Sequence, residues 1–159
     1  MAHAPDWSTT TGRQCGVASN LGRLREAFEE FASEFWGISI SSRLRELLIL
    51  HTAWRAESEG LWSGHLETAM TVGVTDLQIA AIQQGQSEAY VFTPKEKSVL
   101  RFVSRARGFM TLSNEDVENL KAHCDEREIV DILAVDSLYQ MIAMLDVVLW
   151  TGRQSRDVY

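Results

Sequence analysis

Cysteine is nearly absent from this sequence: Cys15 and Cys124 stand far apart in a chain of 159 residues. Two such residues cannot make a disulfide framework, a CxxC redox pair or a four-cysteine zinc site. Proline is as scarce, with only Pro5 and Pro94, and there are ten glycines. So few breaks favour long helices over many short strands. No run of apolar residues approaches the ~18 needed to span a bilayer, so no membrane partner is expected. Basic residues are in the minority: 15 Lys and Arg against 22 Asp and Glu leave a net charge of −7. A general affinity for nucleic acid is therefore not expected. Met1 to Gly12 carries no basic start, apolar run or small-residue cleavage site, so it does not read as a secretory signal. A cytoplasmic protein with reduced thiols is the expectation.

What is present is ordinary globular material. Hydrophobic residues make up 45% of the chain and charged residues 23%, enough for one domain with a real core and too little for two. The polar segment 1–17 reads as a tail, 18–151 as a single all-α domain, and 152–159 as a second tail that could wrap a neighbouring subunit. Five tryptophans exceed what packing alone requires in a chain of this size.

Between the tails the apolar positions recur at three- and four-residue steps, and six or seven helices follow. The first spans Leu21 to Trp36 and stops at Gly37. Ser41 or Ser42 can cap a second, from about Arg43 to Glu57. Its run Leu47-Leu48-Ile49-Leu50 is too dense for a surface helix, so it should be central. A third runs from about Leu61 to Val72 and ends at Gly73. Thr75-Asp-Leu-Gln78 and Thr93-Pro94-Lys-Glu96 have capping-box spacing, in which cap and N3 side chains satisfy each other's backbone donors. Ser113-Asn-Glu-Asp116 and Asp125-Glu-Arg-Glu128 start the last two helices, the final one reaching about Trp150. On that helix Val135, Leu138, Met141, Ile142, Leu145, Val148 and Leu149 form one apolar stripe at ~100° per residue. Asp136, Tyr139, Gln140, Ala143, Asp146 and Trp150 fall opposite. They read as a solvated face, or as the lining of a polar pocket or subunit contact.

The candidate chemistry lies between Ser42 and Gly73. Ser58, Leu61, Trp62, His65, Ala69 and Val72 share one helical face. His65 thus lies on a buried side beside Trp62, either as a core histidine or as a working one. In the preceding helix Glu46 is flanked by large aliphatic residues, with Arg43 or Arg45 as its structural partner. A Glu and a His on adjacent packed helices make an acid–base pair that operates near neutral pH. His51 lies well round the helix from Glu46 and is expected to meet the next helix. Nothing has the spacing of a metal site such as HExxH, so no metal or other cofactor is expected.

Arg43-x-Arg45-Glu46-Leu47-x-Ile49-Leu50, Trp62-x-x-His65 with Ala69 and Gly73 after it, Thr75-Asp76, Asp125-Glu-Arg-Glu-Ile-Val-Asp and Leu138-Tyr139-Gln-Met together resemble the carboxymuconolactone decarboxylase family. The alkylhydroperoxidase D-like proteins belong to the same family. The resemblance runs from Leu21 to Trp150 and implies an all-α bundle that associates as a homotrimer or homohexamer. In the family's peroxidase branch a Glu is followed by a CxxC pair and then a His. Glu46 and His65 match the Glu and the His. Ser58 and Leu61 stand at the two cysteine positions. A dithiol peroxidase needs a thiolate nucleophile and a resolving thiol, so peroxidase activity is not expected. The decarboxylase branch often has a Glu where Leu61 stands. The implied reading is a cysteine-independent lyase or isomerase with Glu46 and His65 as its proton relay. Trp54, Trp62, Ser58, Leu61, Tyr139 and Asp136 are the candidate substrate contacts. The implied substrate is an apolar or aromatic organic acid, lactone or related metabolite. The alternative is an oligomeric small-molecule-binding or accessory protein that has lost catalysis.

Overall fold

A computed structural model describes Glu30 and residues 37–106 and 112–154, with side chains as far as Val148. The segment 1–17, Cys15 and all but Glu30 of the helix expected over Leu21–Trp36 lie outside the described residues, as does 155–159. Among the described residues there are six helices and no strands: α1 Ser42–Arg55, α2 Glu59–Thr71, α3 Asp76–Gln83, α4 Pro94–Ala106, α5 Asn114–Lys121 and α6 Glu126–Gln154. No described helix is long and apolar enough to cross a membrane.

The starts follow from local hydrogen bonding. Ser41 caps α1 by accepting from the Leu44 amide. Thr75 with Gln78 and Ser113 with Asp116 form reciprocal capping boxes on α3 and α5. The Thr93 amide donates to Glu96 at 2.8 Å and the Glu96 amide to Thr93 Oγ1 at 3.3 Å, so Pro94 opens α4 with its φ already set. The ends follow a second rule. Gly73 (φ 94°) and Gly85 (φ 68°) take left-handed conformations, and the next amide reaches back five residues, Val74 to Ala69 and Gln86 to Ala81. The end of α1 makes the same bond, Ser58 to Ala53 at 3.0 Å, but the left-handed residue is Glu57 at φ 55°. Where glycine is the low-cost choice, this chain carries a carboxylate.

Helix α1 is the axis of the bundle, packed against α2, α6, α3 and α4. Every residue from Leu44 to Ala53 is buried, and Leu47, Leu48, Ile49 and Leu50 are fully so. Each such side chain contributes about 1.5–3 kcal/mol of hydrophobic stabilisation. A helix buried all round needs partners for its polar residues. Thr52 bonds back to Leu48 and across to Asp136, and His51 Nε2 lies 3.1 Å from Ser104 Oγ on α4. His51 thus meets α4. Arg43 ties α1 to Gly73 O, Gln78 and the buried Glu96, joining three helices.

The long helix departs from its sequence pattern. Asp136, Tyr139, Ala143 and Asp146 are buried, whereas Met141 and Val148 of the expected apolar stripe are exposed. Val135, Leu138 and Ile142 are buried as expected. The face that read either as solvated or as the lining of a pocket or subunit contact therefore packs inward. Its two carboxylates are tolerated there because each has hydrogen-bond donors on facing or adjacent turns. The helix also continues past Trp150 to Gln154.

Candidate active site

Glu46 and His65 meet directly. The Glu46 side chain leaves the middle of α1 and is 3% exposed as a residue. One carboxylate oxygen, Oε2, lies 2.8 Å from His65 Nδ1 on α2; the other, Oε1, lies 3.4 Å from Arg45 Nε. An ionised carboxylate only accepts hydrogen bonds, so the ring nitrogen facing it donates. That places the proton of the neutral imidazole on Nδ1 and the lone pair on Nε2. The edge-on ring of Tyr139, with centroids 5.3 Å apart and planes at 90°, fixes the imidazole plane from α6. Burial first, and then the Glu46 charge, pushes the Tyr139 phenol well above its ordinary range, so it keeps its proton. The histidine side chain retains 13% exposure against 4% for the glutamate. The pair thus has an inner carboxylate and an outer imidazole.

A second carboxylate sits at the start of α2. Asp146, 3% exposed, accepts from Ser58 Oγ at 2.5 Å. The same Ser58 hydroxyl caps α2 by accepting from the Leu61 amide at 3.3 Å. Asp146 also lies against Gly60, where a Cβ would come within 2.8 Å of its Oδ1. The first turn of a helix carries partial positive charge from its unsatisfied amides, and a carboxylate there is favoured. Ser58 is consequently a cap and an anchor for Asp146.

Beside this turn the surface opens into a cleft of about 540 Å³ lined by Ala53, Trp54, Glu57, Ser58, Glu59 and Trp62. That volume is in the range of small-molecule sites. Trp54 and Trp62 form its apolar walls, with ring centroids 5.4 Å apart and planes tilted by 57°. Trp54 remains 41% exposed, which for a tryptophan beside a cleft is surface waiting to be covered.

The candidates from sequence therefore separate into three places. Trp54, Trp62 and Ser58 line the cleft. Glu46, His65 and Tyr139 form a cluster that does not line it. Leu61 is core. Asp136 is held by Thr52 at 3.1 Å and Gln140 at 2.5 Å. Of the two guanidinium groups considered for Glu46, Arg45 is beside it and Arg43 is committed to Glu96. Sequence reasoning missed Glu57, Glu59 and Gly60. The signal for Glu57 was a helix end with no glycine; for Gly60 it was a glycine at the second position of a helix. Among the described residues no group of three or more His, Cys, Asp or Glu is placed to hold a metal ion.

An all-α fold with a Glu–His pair on its two central helices defines a class, and comparison with known proteins names it. The model of the carboxymuconolactone decarboxylase family matches residues 23–105. The chain belongs to that family. The fold is similar to that of an Agrobacterium tumefaciens protein of unknown function, proposed to be an antioxidant defence protein of the AhpD kind. The TM-score is 0.76 at 17% identity, over 84% of this chain and 92% of that one, which shows a shared fold. No curated protein matches the sequence.

Proposed function

We propose that the protein is a cysteine-independent acid–base enzyme in which Glu46 and His65 transfer protons on an apolar or aromatic metabolite such as a lactone. The observation that carries this reading is the 2.8 Å bond between Glu46 and His65 Nδ1. Nε2 of His65 removes a proton from carbon next to a carbonyl, and the resulting imidazolium is stabilised by the Glu46 carboxylate against which it is already held. In an isomerisation the same nitrogen returns the proton to a different carbon; in an elimination the imidazolium gives it to the departing oxygen as the carbon–oxygen bond breaks; in a decarboxylation no carbon proton is removed, and the imidazolium protonates the enolate left when CO2 departs. A positioned general acid–base contributes ~10²–10⁴-fold.

Thiol peroxidase chemistry is not proposed, because Ser58 and Leu61 supply neither a thiolate nor a resolving thiol. Self-association as a homotrimer or homohexamer in the cytoplasm is part of the proposal. Val130, Leu133, Met141, Met144 and Val148 are exposed on α6 and lie within ~80° of one another around it. Such a stripe matches a subunit contact. The test is turnover of a panel of carboxylated and simple unsaturated lactones, followed by ultraviolet absorbance. His65→Ala and Glu46→Gln should each lower kcat at least 100-fold; unchanged rates would remove the relay.

The separation of the Glu46–His65 pair from the cleft wall favours a second reading, an oligomeric binding or accessory protein without catalysis. Saturable binding of lactones with no turnover at any pH from 5 to 9 would establish it.

A further inference from the structure

The cleft has a chemistry of its own. Among the described residues that line it, two are carboxylates, Glu57 and Glu59, and none carries positive charge. A third carboxylate, Asp146, lies one hydroxyl behind the wall and holds Ser58 in place. The apolar part is a pair of indoles in contact, with centroids 5.4 Å apart and planes tilted at 57°, not a flat stack. Indole faces carry negative quadrupolar charge and attract cations, tryptophan more strongly than any other side chain. A neutral apolar ligand would use the indoles and gain nothing from the glutamates. An anionic one would be repelled by them.

Glu57 sharpens the point. Its left-handed backbone is unfavourable for a residue with a Cβ, in the position where glycine closes α2 and α3. The chain tolerates that cost and gains a carboxylate on the rim beside Trp54.

We propose that the Trp54–Trp62 cleft is a binding site for a small organic cation, an alkyl- or arylalkylammonium group seated against the indole pair with Glu57 and Glu59 at its rim. This concerns what the cleft holds and is independent of the Glu46–His65 relay, since a cation can be held without turnover.

The experiment is isothermal titration of the full chain with choline and with benzyltrimethylammonium, against two controls. These are 3,3-dimethylbutanol, the uncharged isostere of choline, and benzoate, an anion of the opposite preference. Both ammonium ions should bind saturably, with choline at least tenfold tighter than its uncharged isostere. Benzoate should not bind detectably. Trp54→Ala, at a half-exposed position, should weaken benzyltrimethylammonium at least tenfold. Glu57→Gln with Glu59→Gln should weaken it several-fold and flatten its salt dependence. Glu46→Gln should leave it unchanged, which separates this site from the relay. Circular dichroism of each variant confirms that it is folded. Equal binding of the isostere, preferred binding of benzoate, or unaltered affinity in Trp54→Ala would overturn the proposal.

Discussion

Replacing Gly60 by alanine tests whether the start of α2 is built around the Asp146 carboxylate. Glycine inside a helix is ordinarily a weakness, and Gly→Ala there gains up to ~1 kcal/mol. Here the added methyl would stand 2.8 Å and 2.9 Å from the two Asp146 oxygens and 3.1 Å from their carbon. Those distances are well inside normal contact, so the carboxylate must move. It is buried and held by Ser58 at 2.5 Å, which leaves it little room. Overpacking of this kind costs about 1–3 kcal/mol. The expected net effect of Gly60→Ala is therefore a loss of roughly 0–2 kcal/mol, the helix gain having been overridden. In an Asp146→Ala background the clash is gone, and the same substitution should stabilise by up to ~1 kcal/mol. Urea unfolding of wild type, both single variants and the double variant, followed by circular dichroism, measures the coupling. A coupling near ~1–3 kcal/mol supports the packing described. A Gly60→Ala gain of equal size in both backgrounds would refute it.

Other consequences are open to measurement. Asp116 accepts from Ser113 and Arg105, which hold its carboxyl down to about 2 from an ordinary 3.8. A depressed folded-state value means that this contribution is complete above pH 4 and is lost as pH falls toward 2. Asp116→Asn should therefore flatten the acid limb of stability against pH, read from urea midpoints; an unchanged slope would show that the pair is not coupled to folding. Glu57→Gly should relieve the left-handed strain at the end of α1, offset in part by ~0.4–1 kcal/mol of added unfolded-state freedom. The expected outcome is a small gain in thermal midpoint, and a clear loss would mean that Glu57 is not strained. On the exposed stripe of α6, Met144→Glu should shift the assembly toward monomer in light scattering behind size exclusion. A wild-type monomer would remove the reason for the stripe.

Local order was the most legible part of the fold. Thr75, Thr93, Ser113 and Asp125 mark helix starts because capping depends on residues three apart. The central position of α1 was visible in Leu47 to Leu50, which no surface helix would carry. The orientation of α6 was not legible. That helix is apolar on more than one side, so periodicity alone could not separate the face packed on the core from the exposed stripe holding Met141, Met144 and Val148. Asp136 and Asp146 left that face open between solvent and a pocket, because a buried carboxylate is expected only once its donors are known, and Thr52, Gln140 and Ser58 are distant in sequence or committed only by the fold. The site divides in the same way. Trp62 and His65 share a helix, and Glu46 lies on the one before it, so their proximity followed from spacing. The cleft, by contrast, is assembled at a chain reversal, where Glu57 takes an unusual backbone conformation that no pattern of side chains announces.

The Glu46–His65 bond underlies the proposed chemistry, and the protonation of the imidazole reports on it directly. Long-range nitrogen–proton correlation spectra of ¹⁵N-labelled protein, at a pH where His65 is neutral, distinguish the two ring nitrogens. The expected spectrum shows His65 as a single tautomer with the proton on Nδ1, and Glu46→Gln should disturb it while Trp54→Ala does not. A proton on Nε2, or the rapid mixture seen in free imidazole, would contradict the pairing on which the relay depends.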